Sequence, residues 1–191
     1  MGDKDRWFRY ASLVALAICW VTIILGGNVI ANDSGLGCST WPSCDGTFFP
    51  PLTGAMGIEW IHRLSALVLA VSIAVLAGLA VAYERRRPAL LRLSVGSLVV
   101  VGILALLGAA VVDSSLALGL VLLHFAVATI LFGMLLILAL IANWSHLPRR
   151  WIEWARRVEG APEGPSSGRA RPSSPPPPPE WDRRSAEQGL H

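Results

Sequence analysis

Four long apolar stretches, near residues 10–31, 58–82, 93–112 and 117–142, constrain the fold of this chain more than any other feature. Each reaches the roughly 20 residues that a helix needs to cross about 30 Å of hydrocarbon, and none contains proline. Only helices and closed barrels satisfy their backbone polar groups inside a bilayer. Because 53% of the residues are hydrophobic and 15% are charged, a water-soluble domain is disfavoured. The sequence predicts an all-α, polytopic membrane protein built as a four-helix bundle.

The first stretch also resembles a signal peptide, because Lys4, Arg6 and Arg9 precede it as a basic leader. Its apolar run is longer than the core of a signal peptide, and the ANDSGLG segment that follows is a poor cleavage site. We therefore expect this stretch to remain in the protein as the first membrane span.

The distribution of positive charge predicts the orientation of the chain. Of the 16 Lys and Arg residues, three precede the first span, four lie between the second and third spans, and eight follow the fourth. Segments 32–57 and 112–116 contain none. Because cytoplasmic connections carry the excess of Lys and Arg, we expect a multi-pass protein of the cell membrane with both termini in the cytoplasm. The charges form no basic patch, so we expect no nucleic-acid partner.

The composition divides the chain into three predicted regions. Residues 1–145 form a four-span membrane domain, whose outer loop of about 26 residues is far longer than most connections. Residues 146–159 contain Trp151, Trp154 and several arginines, which predicts an amphipathic segment lying on the lipid bilayer. Residues 160–191 are rich in Gly, Ser and Pro, and we expect a disordered cytoplasmic tail.

Ionisable residues inside the second span mark a candidate site. Glu59 and His62 share one face of the predicted helix, and Arg63 lies one turn from Glu59 and can pair with it. Such side chains are costly in a membrane and normally face the bundle interior. The face of His62 continues with a small residue at every fourth position: Ala66, Ala70, Ala74 and Gly78. Small residues at that spacing allow close helix approach, so we expect His62 to point into protein.

His124 is the other histidine within a span and lies on the fourth. Counted from the outer ends at 1.5 Å per residue, His62 lies roughly 6 Å deep and His124 about 10 Å deep. Two imidazoles at similar depth on different helices suit a haem iron, which takes axial nitrogens from opposite faces. In the alternative, each histidine only hydrogen-bonds to a neighbouring helix. Zinc fits less well, because a closed zinc site takes four ligands.

Two cysteines of the outer loop, Cys38 and Cys44, flank a short segment rich in turn-forming residues. On the oxidising side of a membrane, a disulfide between them would close a small ring. A metal site or a pair of free thiols is the less favoured alternative. The ring is either structural, holding the loop as a lid, or redox-active, and the sequence does not separate these roles.

Three segments together resemble the amino-terminal half of the haem A synthase family: ANDSGLGCSTWPSCDG, EWIHR and LLHFAVA. The resemblance extends over roughly residues 10–142 and is to a short, four-span form. Members of that family oxidise the methyl group of haem O to the formyl group of haem A for terminal oxidases, and they carry haem b. The resemblance implies the same activity here, with haem O as substrate, haem b as cofactor, haem O synthase as a partner and a homo-oligomer as the assembly.

The resemblance also implies roles for single residues. His62 and His124 match the axial haem ligands, Glu59 matches an essential carboxylate on the outer side, and the two loop cysteines match a disulfide. Arg63 is expected to bind a haem propionate or to pair with Glu59. Two other functions stay open: a non-catalytic bis-histidine haem protein, such as an electron carrier or assembly factor, and a structural membrane protein whose histidines only pack.

Overall fold

The computed structural model describes residues 3–144. Its helices are α1 (Asp3–Ala31), α2 (Gly54–Tyr83), α3 (Pro88–Asp113) and α4 (Leu118–Asn143). All four are long and apolar enough to cross a membrane, and no β-strand forms among the described residues. The prediction of an all-α, four-helix membrane protein is therefore confirmed. The predicted surface segment 146–159 and the predicted tail 160–191 lie outside the described residues.

Three of the helices begin earlier than the apolar stretches predict. α1 begins at Asp3 and not near residue 10, and α3 begins at Pro88 and not near residue 93. Hydropathy marks the part of a helix that lies in hydrocarbon, whereas the helix itself continues into the polar boundary. Pro88 occupies the first turn of α3, where its missing N–H costs no helical hydrogen bond. The first three helices thus extend beyond the starts of the predicted spans, and every predicted end lies within one residue of the observed helix end.

The four helices form a ring in which each helix contacts the next and α4 closes against α1. Within this described bundle, the diagonal pairs α1 with α3 and α2 with α4 do not contact each other. Segments 84–87 and 114–117 are short, so the helices that they join run antiparallel. We term the end of the bundle that carries residues 32–53 the loop end, and the end that carries residues 84–87 the basic end.

The two halves of the ring differ in packing. Toward the basic end, buried side chains from all four helices, among them Phe8, Leu76, Leu90 and Leu138, form a continuous core. Toward the loop end, the same helices surround a cavity. Close packing in one half sets the spacing of the helices, and the other half keeps open space between them.

The stripe of small residues on α2 follows only part of its predicted path. Ala66 and Ala70 line the cavity, but Ala74 and Gly78 are exposed. An ideal Cβ at Gly78 would have no neighbouring atom within 4 Å. With 3.6 residues per turn, each step of four residues rotates the stripe by about 40°. The prediction of a continuous closely packed face is therefore wrong for the second half of the stripe, which turns outward.

Candidate functional site

A cavity of about 600 Å³ lies between the four helices in the half of the bundle toward the loop end. Its wall is mainly apolar and includes a small set of polar side chains: Thr22, Glu59, His62, Arg63 and His124. Sites for small molecules and cofactors usually have volumes of roughly 300–1,000 Å³, apolar walls and a few polar groups that fix orientation. The cavity therefore has the size and the chemistry of a cofactor site.

His62 and His124 line this cavity from α2 and α4, the diagonal helices that do not contact each other. Measured along each helix from its loop-end start, His62 lies about 12 Å in and His124 about 9 Å in, at 1.5 Å per residue. These lengths differ from the predicted depths because α2 begins at Gly54 and not near residue 58. Both rings reach the same cavity, so they approach one space from opposite sides.

The hydrogen bonding of the two rings leaves nitrogen atoms available. Nδ1 of His62 and Nδ1 of His124 are buried without a hydrogen-bond partner in the described part of the chain. A buried nitrogen without a partner costs free energy, and both of these nitrogens belong to side chains that line the cavity. A metal ion bound between the two rings would satisfy them.

A glycine on an adjacent helix faces each imidazole. An ideal Cβ at Gly26 on α1 would lie 3.0 Å from Cε1 of His62, and one at Gly108 on α3 would lie 3.6 Å from Cε1 of His124. Each ring therefore packs against a helix at a point that carries no side chain. Sequence reasoning missed both glycines. Their only signal is a glycine within an apolar span, which is common in transmembrane helices.

Glu59 and Arg63 form a buried ion pair at the loop end of the cavity. Oε1 of Glu59 accepts hydrogen bonds from Nε of Arg63, at 3.0 Å, and from Nη2 of Arg63. Arg63 also donates to the backbone carbonyls of Cys38, Thr40 and Ser43. These five hydrogen bonds equal the number of N–H donors in a guanidinium group. The expected pairing of Arg63 with Glu59 is therefore present in the structure.

The second oxygen of the Glu59 carboxylate also binds the loop. Oε2 accepts a hydrogen bond from the backbone N–H of Cys38 at 2.7 Å, and Glu59 is only 4% exposed. A carboxylate has about four acceptor positions, so three hydrogen bonds leave Glu59 one more. We term Glu59, Arg63 and loop residues 38–44 the loop clamp.

The long loop places apolar side chains at the cavity. The sulfur atoms of Cys38 and Cys44 are 1.96 Å apart, so the pair expected to form a disulfide lies at bonding distance. Trp41 and Phe48 line the cavity and are 43% and 59% exposed, whereas the neighbouring Phe49 is 94% exposed. The long loop therefore forms part of the cavity wall at the loop end and leaves it partly open.

A second carboxylate, that of Asp45, binds residues 38–44 of the loop on their exposed side. Oδ1 of Asp45 accepts hydrogen bonds from the hydroxyl of Ser39, at 2.6 Å, and from its backbone N–H, at 2.9 Å. These hydrogen bonds, chiefly the one from the hydroxyl, lower the pKa of Asp45 from its ordinary value. Asp45 therefore adds an anchor that depends on its charge.

The donor set around the cavity fits a haem better than zinc. Residues 3–144 contain no group of three or more His, Cys, Asp or Glu side chains that could hold a metal ion. A closed zinc site takes four ligands, whereas a haem in a helix bundle takes two axial imidazoles from facing helices. His62 and His124 are the two residues that would hold the iron.

Three curated proteins that are similar to this chain in sequence are each named heme A synthase. The protein of Bacillus pumilus is 37% identical over 138 residues, which is 70% of this chain and 44% of that protein. The protein of Bacillus licheniformis is 32% identical over 133 residues, 67% and 43% of the two chains. The protein of Listeria monocytogenes is 29% identical over 149 residues, 78% and 48%. The chain thus spans less than half the length of these relatives, and no protein-family model matches it.

Proposed function

Because this chain is a four-helix relative of the haem A synthase family, we propose that it is a membrane oxidoreductase that converts haem O to haem A for terminal oxidases. The observation that carries the proposal is the pair of imidazoles from diagonal helices in one cavity, beside a buried carboxylate. Haem O is the proposed substrate in this cavity. Haem b is the proposed cofactor, bound at the equivalent site of a second copy in a homo-oligomer, and haem O synthase is the proposed source of substrate.

The side chains of the cavity have separate roles in this proposal. His62 and His124 are the residues that would hold the iron of a haem bound in the cavity. Oxidation of a methyl group to a formyl group takes its oxygen atom from water and releases four protons to nearby bases and four electrons to a membrane redox acceptor. Glu59 is held in place by three hydrogen bonds and has one acceptor position left, so it accepts a proton or stabilises positive charge at the reacting carbon.

The loop contributes apolar side chains to the wall of the cavity. Trp41 and Phe48 line its loop end, and an apolar surrounding strengthens the electrostatic effect of Glu59 on the substrate. We propose that Cys38 and Cys44 form a disulfide that keeps these loop residues in place, and that the loop lies on the outer side of the cell membrane. The absence of Lys and Arg from residues 32–57 supports that orientation.

A non-catalytic haem protein is the second candidate, and the loop clamp is the observation that favours it. All the hydrogen bonds that Glu59 accepts come from Arg63 and Cys38, so the carboxylate already has a structural role. In an electron carrier or assembly factor the same clamp would hold the loop, and the two histidines would hold a haem that does not react.

Pigment analysis of the purified protein, expressed in a host that makes haem O, separates these functions. If the protein is a synthase, the preparation should contain haem A. If it is a carrier, the preparation should contain haem without a new formyl group, and if it is a structural membrane protein, the preparation should be colourless. A colourless or unconverted preparation would contradict the proposal.

Glu59→Ala tests the catalytic role, with Arg63→Met as its matched control because that substitution breaks the clamp and keeps the carboxylate. We expect Glu59→Ala to retain haem and to accumulate haem O or a partly oxidised product, and Arg63→Met to make more haem A than Glu59→Ala. Normal haem A production by Glu59→Ala would show that the carboxylate has no catalytic role.

A further inference from the structure

The two imidazoles of the cavity differ in how closely an adjacent helix holds them. We propose that α1 restricts the ring of His62 to one orientation through the close approach of Gly26, while the ring of His124 has room to adjust when a haem enters or leaves. This inference rests on the proposed haem site. It adds Gly26 as a positioning residue and assigns unequal parts to the two ligands.

The surroundings of His62 leave its ring little freedom. A Cβ at Gly26 would lie 3.0 Å from Cε1, 3.5 Å from Nδ1 and 3.6 Å from Nε2 of the ring. Carbon atoms in favourable contact are about 3.5–4.0 Å apart, so a methyl group at Gly26 would require the ring to move by a few tenths of an ångström. All three of these ring atoms lie within 4 Å of the position of that methyl group. The close approach of α1 therefore restricts the orientation of the ring.

The surroundings of His124 are looser. A Cβ at Gly108 would approach only one ring atom, Cε1, and the distance of 3.6 Å is an ordinary van der Waals contact. The Nδ1 atom of this ring is buried without a hydrogen-bond partner in the described part of the chain. The adjacent helix therefore holds the ring of His124 less closely than α1 holds the ring of His62.

Three alanine substitutions test this difference in the full chain. Gly26→Ala pushes the His62 ring away from α1, and Gly108→Ala adds only an ordinary contact beside His124. Gly27→Ala is the matched control, because a Cβ at Gly27 would have no neighbouring atom within 4 Å. Each purified protein is titrated with haem b, and its electron paramagnetic resonance spectrum is recorded, since the low-spin signal reports the orientation of the two imidazoles.

We expect Gly26→Ala to bind haem b about tenfold or more weakly, as substitutions that orient a metal ligand commonly do, and to show shifted low-spin g values. Gly108→Ala should show a clearly smaller change, and Gly27→Ala should match the wild type. Equal effects of the Gly26 and Gly27 substitutions, or a larger effect at Gly108 than at Gly26, would overturn the inference while the haem site stands. A wild-type protein that binds no haem would overturn the proposed site and this inference with it.

A double substitution distinguishes positioning of His62 from a general packing role of Gly26. If Gly26 acts through the His62 ring, adding Gly26→Ala to His62→Ala should lower the unfolding midpoint of the haem-free protein no further. Should Gly26→Ala alone fail to fold, this double variant should fold, because the ring that clashes with the new methyl group is gone. A lower midpoint of the double variant than of His62→Ala, or no recovery of folding, would overturn the inference.

Discussion

The loop clamp and the cavity lie next to each other in the bundle, and they differ in whether their polar groups have hydrogen-bond partners. In the clamp, Arg63 uses five hydrogen bonds and both carboxylate oxygens of Glu59 are engaged. In the cavity, Nδ1 of His62 and of His124 are buried without a partner in the described chain. A buried polar group without a partner costs free energy, so two such nitrogen atoms on side chains that line one cavity favour a ligand there.

This contrast predicts that substitutions in the two regions fail in different ways. Loss of a clamp residue should destabilise the protein even when no ligand is bound, since it leaves buried hydrogen-bonding groups without partners. Loss of a cavity histidine should leave the unliganded protein nearly as stable and remove its capacity to bind haem. The predictions below test this division.

Arg63→Met should have the largest effect on stability. It leaves the Glu59 carboxylate buried without its counter-charge and three loop carbonyls without a donor, which should cost about 3–5 kcal/mol of unfolding free energy. Unfolding of the purified protein in detergent measures this cost. Arg92→Met is the control, because Arg92 is exposed and donates one hydrogen bond within its own helix. Similar unfolding of the two variants would show that the clamp contributes no stability.

Replacing both Cys38 and Cys44 with serine should cost about 2–3 kcal/mol, the loop-closure entropy that a disulfide around a short ring removes from the unfolded chain. Non-reducing mass mapping after alkylation should show one peptide linking the two residues and a label on the free thiol of Cys19. Labels on Cys38 and Cys44 in that experiment would contradict the predicted disulfide.

Gly37→Ala should disturb the same loop by steric overlap. A Cβ at Gly37 would lie 2.4 Å from the backbone oxygen of Ala55, and overpacking of this kind costs about 1–3 kcal/mol. The matched control is Gly119→Ala, where a Cβ would have no neighbouring atom within 4 Å. An unfolding midpoint equal to that of the control would show that the loop does not pack on the start of α2 as described.

The smallest expected effect is a loss of stability in acid, caused by protonation of Asp45. Hydrogen bonds from Ser39 lower the pKa of this carboxyl from 3.8, so its stabilising contribution is complete above that value and is lost as the pH falls through the lowered pKa. The wild type should therefore lose slightly more stability than Asp45→Asn when the pH is taken from 7 to 3. Equal losses of stability in the two proteins would show that the charge of Asp45 does not stabilise the loop.

Much of this architecture could be predicted because the bilayer imposes strict rules. Continuous apolar stretches located the four helices, and the cost of burying charge located His62, Glu59 and Arg63 on one helical turn. The haem A synthase resemblance, predicted from three short segments, is confirmed by the curated relatives.

The remaining features depend on contacts between elements that are distant in sequence. The partners of Arg63 are backbone carbonyls of the loop, and backbone atoms carry no sequence signal. Gly26 and Gly108 acquire their roles only when α1 and α3 pack beside the histidines. The small-residue stripe of α2 failed as a prediction because its rotation along a long helix was ignored.

The most direct test of the account is the haem content and low-spin spectrum of His62→Ala and His124→Ala, measured with the unfolding midpoint of each protein without haem. Leu123→Ala is the control, because Leu123 is exposed beside His124 and does not line the cavity. The account predicts that both histidine variants lose the bis-histidine low-spin spectrum and most of their haem, while their unliganded midpoints stay close to that of the control. Wild-type haem content and an unchanged low-spin spectrum in both histidine variants would contradict it.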